Sequence, residues 1–266
     1  METRLDQDAY TRVRLAFLFL FVCVVALWVG AHFITSLSKV QEIHATRESL
    51  AALQGITGTE QIDEALRRHP SNKLLQMIAM ATRAANETSA AAERLLNEAE
   101  TPALSKDVDL GTAGRRDLEA LQRDLKAAEA SVATFMPRYL AIVKTERDKV
   151  ETYAVSLHAE KDLVGSFLDG VDKQQAKATA LASRMALARA DYYRAYESYV
   201  AVLIGEFGAY QVVKGQFVFP FQRAADRYNA AAQAMAVATK HIAELEEERK
   251  TLMQLQQGWG QFVKSE

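Results

Sequence analysis

The sequence predicts an all-α protein, with a single N-terminal transmembrane helix followed by an elongated antiparallel helical bundle. Three observations carry that expectation. Residues 15–34, LAFLFLFVCVVALWVGAHFI, are an almost unbroken apolar run. From residue 115 onward, apolar side chains recur at steps of three, four and seven over segments far longer than a strand. Glycine and proline are scarce, 12 and 4 in 266 residues, which suits helices and not a turn-rich β-protein.

The apolar run is long enough to cross a bilayer. At a rise of about 1.5 Å per residue, 20 residues reach roughly 30 Å, the thickness of the hydrocarbon core. Arg4, Arg12 and Arg14 precede it, and Lys39 follows it closely. The excess of positive charge on the N-terminal side places residues 1–14 in the cytoplasm and residues 35–266 outside it. Val29-Gly30-Ala31 would also serve as a signal-peptidase site, so a cleaved signal peptide is the competing reading. A buried core helix would keep a polar face, which this segment lacks. The expected contact is with the lipid bilayer through residues 15–34.

Beyond the anchor the chain reads as amphipathic helices. The first, 36–54, carries Leu37, Val40, Ile43, Leu50 and Leu53, and Gly55 and Gly58 break it. A short helix at 60–69 ends at Pro70, with Ser71 placed to cap the next, 72–98. Residues 100–114, with Pro102, Gly111 and Gly114, read as a loop. A long helix follows at 115–165, with Leu118, Leu121, Leu125, Val132, Phe135, Tyr139 and Ile142 along one seam. Pro137 lies inside that seam and should kink the helix or divide it. Further helices are expected at 171–214 and 221–257. Short links between long helices imply antiparallel neighbours.

Between the last two helices lies GQFVFPFQ. Gly215 suits the left-handed residue that ends a helix, and Pro220 suits the first turn of a new one. Residues 216–219 are then expected as an extended connector, a corner with no partner strand. Phe217, Phe219 and Phe221 either fold back to plug the end of the bundle or stand exposed for a protein partner or lipid. Counting helix directions from the anchor puts this corner near the bilayer, where aromatic rings are favoured at the interface.

Residues 205–236 resemble, through Gly215, the Phe219-Pro220 pair, Ala225, Tyr228 and Asn229, a helical family of bacterial envelope lipoproteins of no known function. The resemblance implies a bacterial envelope location and supplies no activity. With the anchor, the expected location is the bacterial inner membrane, single-pass, N-terminus cytoplasmic and bulk periplasmic.

The inventory for chemistry is poor. A net charge of −2 gives no field to gather nucleic acid, and the single Cys23 cannot form an internal disulfide. No phosphate-cradling glycine loop, H-E-x-x-H or C-x-x-C pattern is present. His158, Glu160 and Asp162 read as a surface charge patch, not a metal site. No catalytic residue, cofactor or metal is expected, and the chain reads as a non-enzyme. Tyr192, Tyr196 and Tyr199 fall on one helical face. They read as core tyrosines with bonded hydroxyls, or as a ligand-facing surface. The leading expectation is a membrane-anchored scaffold or accessory subunit with a protein partner in the envelope. The alternative is a ligand-binding sensory bundle acting through a partner protein.

Overall fold

The structure is a computed structural model, and it describes residues 59–99 and 108–257. The apolar run 15–34, the helix expected at 36–54 and most of the 100–114 loop lie outside the described residues. Among the described residues, no helix is long and apolar enough to cross a membrane.

The protein is mostly helical, and its elements run α1 (Thr59–Arg68), α2 (Lys73–Ala99), α3 (Arg115–Ser156), α4 (Lys161–Gly205), β1 (Gln211–Val213), β2 (Gln216–Val218) and α5 (Gln222–Gln257). They form two compact units. One takes the chain up to Arg94, Tyr139–Leu181 and the chain from Glu248; the other takes Leu95–Arg138 and Ala182–Glu247.

In the first unit, α1 buries Ile62 and Ala65 and ends on Arg67 and Arg68, cations that complement the negative end of its dipole. Pro70 stops the chain from continuing as a helix. The cap of α2 is Asn72 and not Ser71. The Asn72 Oδ1 accepts the Leu75 N–H at 3.1 Å, satisfying one of the free donors of the first turn. Leu74, Leu75 and Ile78 then pack with Val150 of α3 and with Phe167 and Val171 of α4. Arg147 forks onto Asp172, and Tyr139 shares a hydrogen bond with Thr179, so α3 and α4 run antiparallel here.

The predicted helix 115–165 is cut short. α3 ends at Ser156, and His158 takes a left-handed φ of 50° before α4 begins at Lys161. Lys73 Nζ donates to the His158 carbonyl at 2.8 Å, satisfying an acceptor at this break. The break holds no glycine or proline, so composition did not mark it. Gly165 and Gly170, which resemble breakers, lie inside α4.

In the second unit, Gly114 donates to Asp117 Oδ2 at 3.1 Å, the back-reaching half of a capping box that starts α3. The helix passes Pro137 without ending, although the proline removes one backbone donor. Gln122 meets Glu197 and Glu129 meets Arg194, an antiparallel pairing of α3 with α4. Leu118, Leu121, Leu125, Val200 and Leu203 are core residues of this unit. Along α5, Ala224, Ala231, Ala238, Ile242 and Leu245 are buried, at intervals of seven, seven, four and three that trace a single seam.

The corner is corrected most. α4 stops at Gly205, nine residues before the predicted end, and Gly208 adopts a φ of 84°. Residues 211–213, expected in that helix, are instead the partner strand that β2 needs. The two pair antiparallel, with Gln211 opposite Val218, Val212 opposite Phe217 and Val213 opposite Gln216. Lys214 and Gly215, at φ 53° and 77°, are the two central residues of the turn. Positive φ at both is the type I′ geometry that matches the twist of a two-residue hairpin. Gly215 is left-handed as expected, but it serves a hairpin and not a helix end. The next helix starts where the sequence placed it, and the Phe221 carbonyl accepts the N–H groups of Ala224 and Ala225.

Candidate functional site

Two strands of three residues cannot hold themselves together in water. The hairpin stands because its inward face is seated on aromatic rings. Phe217 and Phe219, two residues apart, project to the same side. Both lie between Tyr210, at centroid distances of 5.2 and 5.7 Å, and Tyr228 on α5, at 5.5 and 5.1 Å. Phe207 meets Tyr210 edge-on at 6.2 Å. Below them, the Tyr228 ring packs on Tyr199 of α4 at 4.8 Å, and their hydroxyls share a 2.6 Å hydrogen bond. Each such ring pair adds about 0.5–1.5 kcal/mol beyond its area.

Burial sets the electrostatics of this cluster. It pushes the Tyr199 hydroxyl far above the ordinary tyrosine range, and the bond to Tyr228 adds to the shift. Tyr228 and Tyr210 are raised by the same loss of hydration. These phenols are therefore neutral hydrogen-bonding groups at physiological pH. Glu206 and Arg227 form an ion pair that ties the end of α4 to the start of α5 beside them.

The turn before α3 lies next to the hairpin. Asp109 accepts from the Gly111 N–H at 2.9 Å and from the Thr112 hydroxyl at 3.0 Å, which tightens that turn. A Cβ on Gly111 would stand 3.2 Å from Asp109 Oδ1 and 3.6 Å from Val212 Cγ1. A side chain here would crowd Asp109 within the turn, while Val212 of β1 stands at ordinary contact distance.

The three phenylalanines thus divide. Phe217 and Phe219 are half-buried in the seat of the hairpin, whereas Phe221 is 66% exposed. The outward face adds Val213 and Val218, exposed by 47% and 51%. Sequence reasoning missed both valines: it read Val213 as helix, and within the 216–219 connector it singled out only the phenylalanines. The available signal was the Lys-Gly pair flanked by QVV and QFV, a weaker hairpin mark than Asn-Gly.

Tyr192, Tyr196 and Tyr199 follow one another along α4 but differ in exposure. Tyr192 and Tyr196 touch at 6.0 Å and are half-buried, while Tyr199 is 4% exposed and turned to Tyr228. Among the described residues, no group of His, Cys, Asp and Glu side chains is placed to hold a metal ion. His158 sits in the α3–α4 break, and Asp162 opens α4.

Comparison with family models, with characterised proteins and with solved structures finds no match for this chain.

Proposed function

We propose that this chain is a non-enzymatic, membrane-anchored helical scaffold or accessory subunit of a bacterial envelope complex, and that the hairpin is the element that contacts a protein partner. The supporting observation is the exposure of Val213 and Val218 on the hairpin face turned away from the rings, together with that of Phe221 just before α5. A rigid, pre-organised apolar projection loses little entropy when a partner covers it. Side chains of this kind, gathered on a protruding element, mark interaction surfaces more often than scattered single exposures do. Phe217 and Phe219 support that surface and do not form it. The anchor rests on the length and charge flanks of residues 15–34.

The sensory alternative needs Tyr192, Tyr196 and Tyr199 to face a ligand together. Commitment of Tyr199 to Tyr228 weighs against it. The scaffold reading is tested in cells with a photo-crosslinking residue at Val213 of the full chain, and another at the exposed Gln233 on α5 as control. A protein adduct of one defined mass from position 213, absent from position 233, is the expected result. Adducts only with lipid, or equal adducts at both positions, would contradict a dedicated protein contact.

A further inference from the structure

Between Glu206 and Asp226 the only charged side chains are Lys214 and Arg223, and both are positive. Lys214 stands in the hairpin turn and Arg223 two residues beyond Phe221, and both are exposed. Neither enters an ion pair among the described residues. The acids that bound this stretch are already engaged. Glu206 pairs with Arg227, and Asp226 accepts from the Gln222 amide at 2.8 Å. The strand register adds a second observation. Gln211 lies opposite Val218 and Val213 opposite Gln216, on the face away from Phe217 and Phe219. That face alternates two valines with two amides, and all four are exposed.

On the reading that the hairpin contacts a protein, we propose that its partner presents an acidic docking surface, an apolar patch bordered by Asp or Glu carboxylates that meet Lys214 and Arg223. The valines and Phe221 supply the area to be buried, and the cations set the sign of what can approach. Complementary charge at a rim speeds encounter and rejects surfaces of like charge. The amides decide between protein and lipid. Taking an amide into hydrocarbon, where nothing can bond it, costs about 4–8 kcal/mol. A protein surface has donors and acceptors to satisfy Gln211 and Gln216, and acyl chains have none. Nucleic acid fits less well, since its affinity grows with each phosphate neutralised and two cations neutralise few.

The test places the photo-crosslinking residue at Val213 of the full chain and reads the protein adduct in membranes isolated from cells that express it. Two double variants are compared. Lys214→Glu with Arg223→Glu reverses both charges, and Lys214→Arg with Arg223→Lys keeps them. The reversed pair should lower the yield of a single-mass adduct by roughly fivefold or more, and the conserving pair should leave it within about twofold. Raising salt from about 50 to about 500 mM should lower the adduct of the unreversed chain and leave that of the reversed one unchanged. The salt series does not depend on how the reversed pair folds. An adduct that survives both charge reversal and high salt would overturn the acidic surface and leave the hairpin contact standing. Equal loss in the two double variants would show that shape is read and not charge, which also overturns it. Adducts confined to lipid, or none from the unreversed chain, would remove the contact and this inference with it.

Discussion

Tyr199 on α4 and Tyr228 on α5 are joined twice, by rings 4.8 Å apart and by a 2.6 Å bond between their hydroxyls. The pair fixes the two helices at the point where the hairpin leaves them. Phe217 and Phe219 rest on the Tyr228 ring, so the orientation of the hairpin depends on this contact.

A double-mutant cycle measures that bond. Tyr199→Phe leaves the Tyr228 hydroxyl without its partner and should cost about 1–3 kcal/mol, and Tyr228→Phe should cost a similar amount. The double variant should cost about as much as either single one, because the second change removes the orphaned group. Additive losses in urea unfolding would mean that the two hydroxyls do not depend on each other.

Alkaline pH should loosen both units through their tyrosines. Burial raises Tyr139 from 10.0 to about 12, and it also raises Tyr199 and Tyr228. A raised folded-state pKa means that the unfolded chain gives up its proton first. The stabilisation is complete below about pH 10 and is lost as pH climbs toward 12 and beyond. For Tyr139 the loss amounts to about 2–3 kcal/mol across that window. Denaturant unfolding at pH 8 to 12 should show a steady decline, and Tyr139→Phe should make it shallower. A stability independent of pH up to 12 would refute the assignment.

The hairpin turn carries a removable strain. Lys214 is held at a φ of 53°, a region that favours asparagine and glycine over lysine. Lys214→Asn should raise stability by roughly 0.5–1 kcal/mol, and Gly215→Val should lower it by about 1–2 kcal/mol. Hydrogen exchange at Val213 and Gln216 would register the same order locally.

The helices were the legible part of this protein. Repeats of Leu118, Leu121 and Leu125 mark the buried seam of α3, and Pro70 marks the end of α1 within a residue or two. Both signals are local, so sequence carries them. The break after Ser156 was hidden because its left-handed residue is a histidine, held by a hydrogen bond from Lys73, 85 positions away. The hairpin was half legible. The spacing of Phe217 and Phe219 gave an extended segment. Its partner strand was missed because Gln211-Val212-Val213 is too short to show a period and continues an apolar run from α4. What splits Phe221 from the other two is the packing of Tyr210 and Tyr228, a tertiary fact with no trace in spacing.

The measurement that bears most directly on the proposed contact is the triple variant Val213→Ser, Val218→Ser, Phe221→Ser in the full chain. These side chains are exposed, so the account predicts a melting temperature within a few degrees of the wild type. It also predicts loss of the crosslinked adduct, read from a photo-crosslinking residue placed at the neighbouring Gln216. A large fall in melting temperature would show that these residues are packed, and an adduct of undiminished yield would show that the partner does not read them. Either result would contradict the hairpin as the contact element.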